Sequence, residues 1–144
     1  MITEVFESAL AGNRRMLARA ISIVESGGED ILLALKGMVP RRATGPGKPR
    51  VIGVTGPPGA GKSTIVNALV VDGRARGLRV AVVAVDPSSP FTGGAILADR
   101  IRLEEHAVDE GVFVRSLSSR GHLGGLCRAA GQVVDLLDAC GWDW

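Results

Sequence analysis

The chain has 144 residues, a formal net charge of +2, 46% hydrophobic residues and 22% charged residues. This balance excludes a disordered chain, and the length fits one domain or one domain with a small appendage. No apolar run nears the roughly 18 residues of a membrane-spanning helix. No basic stripe interleaved with aromatics marks a nucleic-acid surface, so neither a membrane nor a nucleic acid is expected as a partner.

The N-terminus has no basic start or apolar core, so no signal peptide is expected, and the early Glu4 and Glu7 argue against a transit peptide, which leaves the cytoplasm as the expected compartment. The first forty residues read as helical. Val5, Phe6 and Leu10 share one face, and Gly12-Asn13 interrupts the pattern. Asn13 is a natural cap for a second helix, because its side-chain oxygen accepts an orphan backbone N–H. Met16, Leu17, Ala20, Ile21 and Val24 then form an amphipathic face up to Gly27-Gly28, and Ile31, Leu32 and Leu35 predict a third, short helix. These helices are either a partner-binding appendage or a cap packed on the main domain. Packing is the expected outcome, since apolar faces usually bury internally. Residues 41–50, rich in proline, glycine and basic side chains, read as a linker between a helical segment over 1–40 and a domain over 51–144.

From Val51 the pattern alternates between strand and helix. Residues 51–55 form a short β-branched run, and a helix begins at about Lys62. Gly73 falls in that helix, where glycine costs about 1 kcal/mol relative to alanine, and Gly77 is placed to end it. Residues 79–85 are a near-continuous apolar run, as expected of a strand buried on both faces of a parallel sheet. Residues 96–106 read as a helix, 112–114 as a further strand, and 131–137 as part of a helix ending near Gly141. Residues 142–144 look like the approach to another strand. The expected fold class is therefore α/β, with a partial, mostly parallel β-sheet flanked by helices and preceded by a short N-terminal helical segment, and the run Gly56 to Ser63 between strand and helix makes it a P-loop NTPase domain. Ligands in such sheets lie at the carboxyl ends of the strands.

The segment Gly56-Pro57-Pro58-Gly59-Ala60-Gly61-Lys62-Ser63 matches G-x-x-x-x-G-K-[ST] at every fixed position, between a predicted strand and a predicted helix. A triphosphate is a dense anion that needs several converging donors, and a loop entering a helix N-terminus supplies them because first-turn N–H groups have no internal partner. Pro57 and Pro58 have no N–H, which leaves Gly59, Ala60, Gly61, Lys62, Ser63 and Thr64 as the expected donors, with Gly56 opening the turn. Lys62 is expected to neutralise phosphate charge and Ser63 to bind magnesium through its hydroxyl.

Asp86 follows the buried 80–85 run at the predicted carboxyl edge of the sheet. It is either a magnesium ligand or the start of the turn Asp86-Pro87-Ser88-Ser89-Pro90. Asp99 lies in a charged helical pattern, where it either reaches the same metal or is simply solvated. The stretch Arg120-Gly121-His122-Leu123-Gly124-Gly125 is a second glycine-rich approach to a helix, and His122 alone is weak evidence of proton transfer. Cys127 and Cys140 lack metal-site spacing and read as ordinary thiols.

Taken together, these segments resemble the methylmalonyl-CoA mutase-associated GTPases, the MeaB/ArgK-like family. The resemblance is carried by residues 14–21 with Val24-Glu25-Ser26, by residues 53–64, by Val85-Asp86-Pro87-Ser88-Ser89-Pro90, by Thr92-Gly93-Gly94-Ala95-Ile96-Leu97 with Asp99-Arg100, and by residues 120–126. Ala98 stands where the family usually has glycine, and Cys127 where it has alanine or serine. The resemblance implies a protein that binds GTP/GDP with Mg2+, with Ser63, Asp86 and Asp99 around the metal and Lys62, Asp86 and Asp99 serving catalysis. It also implies a partner, an adenosylcobalamin-dependent acyl-CoA mutase whose cofactor loading such GTPases gate. The family continues into a second switch, a guanine-reading motif and a homodimerisation segment that these residues do not contain. The chain thus reads as an N-terminal fragment, with little hydrolysis or base discrimination expected of it alone. Two alternatives stay open: a partner-binding fragment that does not hydrolyse nucleotide, and an ATP-dependent kinase linked to transport.

Overall fold

The computed structural model describes residues 2–28, 31, 34–35, 37, 50–87, 103, 105–119 and 123–144. Among them the elements run α1 (Ile2–Leu10), α2 (Arg14–Ser26), α3 (Lys62–Ala75), β1 (Val80–Pro87), β2 (Val112–Ser119) and α4 (Leu123–Ala139). Ile31, Ala34 and Leu35 are also helical, where the short third helix was expected. β1 and β2 pair in parallel, from Val80 against Val112 to Pro87 against Ser119.

Side-chain alternation along this pair divides the core in two. Val112 meets Val70 and Val80 in a small cluster, with Val82, Val114 and Trp144 packed against it. Phe113 and Leu117, one residue out of phase, join Phe6, Leu17, Ile21, Val24, Val133, Leu136 and Trp142 in a larger cluster, against which Ala81 and Val83 pack. Successive strand side chains point to opposite faces, so α3 covers one face and α1, α2 and α4 cover the other. The N-terminal helices are packed into the body of the protein, as their amphipathic faces predicted. Asn13 caps α2 as expected, its side-chain oxygen accepting the N–H groups of Arg15 and Met16 at 3.1 and 3.2 Å.

Two strand expectations are corrected. Residues 51–55 form no strand: Val51 is 71% exposed and Ile52 47%. A β-branched run becomes a strand only where a neighbouring strand accepts its backbone bonds, and near the start of this run the bond is a single one, from the Arg50 N–H to the Asp143 carbonyl at 2.9 Å. The 79–85 run is likewise less covered than expected. Val80 is buried, but residues 81–84 are half-buried and Val85 is exposed, because α3 and the α1–α2–α4 layer shield β1 mainly at its start. The expected helix over 96–106 lies outside the described residues apart from Leu103 and the turn that follows it.

Residues 142–144 carry no strand assignment, yet they bond to the free side of β1. The Trp144 N–H donates to the Arg79 carbonyl at 3.2 Å, and the Ala81 N–H donates to the Trp144 carbonyl at 2.7 Å. Trp144 thereby lies over Gly73 of α3. A Cβ at Gly73 would stand 2.7 Å from Val80 Cγ2 and 3.1 Å from Trp144 Cε3, so the missing side chain is what lets α3 approach the sheet. This gives a test whose sign distinguishes packing from helix propensity. Gly73→Ala should destabilise the protein by about 1–3 kcal/mol through overpacking, measured by urea unfolding, whereas propensity alone predicts stabilisation of about 1 kcal/mol.

Candidate nucleotide-binding site

The loop at 56–61 is exposed and opens directly into α3. Its turn depends on glycine: Gly59 has φ +77° and Gly61 φ +87°, the left-handed region that side chains with a Cβ rarely adopt. Gly61 is also the N-cap of α3 and makes no side-chain capping bond. As glycine, the cap offers no side-chain oxygen of its own to the first-turn N–H groups, and helix N-termini of this kind attract anions.

Lys62 is folded back over the loop. Its Nζ donates to the carbonyls of Gly56 and Pro57, each at 2.8 Å. These bonds hold the ammonium over the loop. The Ala60 N–H donates to the Pro57 carbonyl at 3.3 Å, so it closes the turn in this conformation. Gly56, Gly59, Ala60, Gly61, Lys62, Ser63 and Thr64 are thus brought together by one loop and one helical turn, as their contiguity requires. Asp86 stands near the carboxyl end of β1, opposite Ser118 of β2. Asp99 and His122 lie outside the described residues. Among the described residues no group of three or more His, Cys, Asp or Glu side chains is arranged to hold a metal ion. The donor types proposed for one, a hydroxyl and carboxylates, are hard oxygens of the kind magnesium prefers.

Sequence reasoning missed the polar contacts that hold α3. Ser63, Asn67, Val70 and Arg74 recur at i, i+4, i+7 and i+11, one stripe of the helix. The segment preceding β2 lies along it. His106 Nε2 sits 2.7 Å from Asn67 Oδ1. Arg74 grips Asp109 with two bonds, Nε to Oδ2 at 2.8 Å and Nη2 to Oδ1 at 3.0 Å, and donates to the Leu78 carbonyl at 2.7 Å. From the other side of the sheet, Arg14 at the start of α2 donates to the backbone carbonyls of Asp109 and Val112. A Cβ at Gly111 would overlap the Arg74 guanidinium, so a side chain there would displace that group from its present place. The periodicity of the α3 stripe was visible in the sequence, but its partners are 35 and 39 residues away and no local pattern names them.

The Arg74 guanidinium, then the Gly111 N–H, hold the Asp109 carboxyl below its usual range. Asp109 is therefore ionised more readily in the fold than in the unfolded chain. Its contribution to stability is present above the ordinary aspartate pKa of about 4 and is lost as pH falls through the lowered folded value. Asp109→Asn should melt several degrees below the native protein at pH 7, and the gap should narrow in thermal melts carried down to pH 3.

The glycine-built turn, the lysine over it and the uncapped helix behind it, on an α/β frame, define a P-loop protein of the nucleoside triphosphate-binding class. Comparison with known proteins narrows the class. The chain belongs to the methylmalonyl-CoA mutase-associated GTPase MeaB family, whose family model matches residues 17–144. A Pyrococcus abyssi protein whose name provisionally places it among GTPases is 46% identical over 143 residues, 99% of this chain and 43% of that protein. GTPase ArgK of Escherichia coli is 42% identical over 132 residues, 92% of this chain and 40% of its own length. The Caenorhabditis elegans protein named methylmalonic aciduria type A homolog, mitochondrial, is 32% identical over 153 residues, 99% of this chain and 38% of its own length. The chain thus spans less than half the length of these curated relatives.

Proposed function

We propose that this chain binds a guanine nucleotide with magnesium at the N-terminus of α3, as the phosphate-gripping part of a GTPase that serves an adenosylcobalamin-dependent methylmalonyl-CoA mutase. The observation that carries the reading is the cradle: Gly59 and Gly61 in left-handed conformations, an α3 N-terminus with no side-chain cap, and Lys62 Nζ held between the Gly56 and Pro57 carbonyls. Family membership and the ArgK relative support the nucleotide and the reaction class. The family's description supports the mutase as partner.

In this reading the N–H groups of Gly59, Gly61, Lys62, Ser63 and Thr64 surround the phosphates, and Ala60 joins them when its bond to Pro57 opens. Lys62 neutralises charge that the helix N-terminus alone cannot balance, since a terminus carries only about half an elementary charge. Ser63, Asp86 and Asp99 are the proposed magnesium ligands. The metal, when bound, offsets phosphate charge; Asp86 and Asp99 orient it and its waters. The protein acts in the cytoplasm in this reading.

Lys62→Ala should weaken magnesium–GTP binding by more than about tenfold, as expected when a charge-assisted phosphate contact is lost, in isothermal titration of the folded variant. Equal affinity in the variant and the native protein would remove the cradle from the reading. Co-purification with a methylmalonyl-CoA mutase, increased by GTP over GDP, is the outcome expected for the partner.

A further inference from the structure

The phosphate end of α3 is held differently from its other end. Val70 and Gly73 are the buried positions of this helix, both in its second half. From position 62 to position 69 every side chain is half-buried or exposed, with Ile65 exposed at 53%. Apolar packing therefore fixes the distal part of α3 against Val80 and Val112, and the Arg74–Asp109 pair reinforces that part. Among the described residues, the end that carries Ser63 contributes no buried apolar side chain. One turn along from Ser63, on the same stripe, stands Asn67, tied to His106 at 2.7 Å. Both side chains are half-buried, so the bond is partly shielded from water that would compete for it.

We propose that Asn67 and His106 are positioning residues for the phosphate cradle: their bond fixes the near end of α3, and with it the aim of the first-turn N–H groups and the Ser63 hydroxyl. This inference rests on the phosphate-binding reading of α3 and adds which residues tune it. Neither side chain touches the ligand. They act by restricting how far this end of the helix can move from the geometry that the phosphates need. Small displacements weaken several converging donors at once, because hydrogen bonds lose strength steeply with misalignment.

The test compares the two ends of the helix in the full chain, using magnesium–GTP and magnesium–tripolyphosphate as probes, the second to remove any contribution of the base. Asn67→Ala and His106→Ala should each weaken both probes about fivefold, the effect of one net hydrogen bond, with little change in melting temperature. The double variant should bind no more weakly than either single one, as coupled partners require. His106→Gln, which keeps a donor, should recover most of the loss and remains informative if an alanine variant folds poorly. Asp109→Asn should show the reverse pattern, a lower melting temperature with near-native probe affinity. The inference is overturned if the Asn67 and His106 variants bind both probes like the native protein, or if their losses follow stability as in Asp109→Asn. A native protein that binds neither probe overturns instead the phosphate reading on which the inference stands.

Discussion

A parallel pair of strands rich in valine has to be covered on both faces, and the way β1 and β2 meet that requirement arranges the rest of the molecule. Their side chains alternate, sending Val80, Val82, Val112 and Val114 toward α3, and Ala81, Val83, Phe113 and Leu117 toward α1, α2 and α4. Once α3 lies on its face, running from the glycine loop to the turn before β1, its N-terminus is directed to the carboxyl end of the sheet. The cradle's location is thus a consequence of core packing, and its chemistry is a consequence of the loop sequence.

The N-terminal helices take part in the same arrangement. Their apolar residues share a core with β2 and α4, and Arg115 of β2 reaches Ser22 at 2.7 Å and Glu25 at 3.1 Å on α2. Arg14 holds the turn at Asp109 from one side while Arg74 of α3 holds it from the other. The turn before β2 is therefore a shared fixture of both helical layers. Half-exposed pairs of this kind contribute modestly one by one, and here they add to apolar packing that already seats α2 and the distal part of α3.

The contrast between the two ends of α3 follows from the same economy of contacts. Gly73 permits a close approach where Val80 and Trp144 stand, and the helix is seated there by packing. Toward Ser63 the side chains of the helix are half-buried or exposed. Residues 51–55, leading into the loop, carry no ladder, although residues 142–144 lie between Arg50 and the start of β1. Among the described residues, the backbone bond of the loop's approach is made at its beginning, from Arg50 to Asp143.

Much of this was legible in the residues themselves. The glycine-lysine-serine spacing marked a tight turn running into α3, because contiguous residues with special backbone angles leave a local signature. Asn13 announced the start of α2 for the same reason, and the apolar faces of α1 and α2 announced their burial. Where the sequence misled, the deciding factor was non-local. Residues 51–55 have strand-forming side chains, but a strand is made by its neighbour. Gly73 looked like a cost to its helix until Val80 and Trp144 stood over it. Asn67 and Arg74 could be placed on the stripe of Ser63 by counting, while His106 and Asp109 could not be assigned to them, since chain topology alone decides which distant side chains meet. The sequence by itself determined the glycine-built turn and the helix that leaves it, and the tertiary structure decided how that helix is held, because local backbone geometry is encoded within a few residues and the contacts that anchor a helix are not.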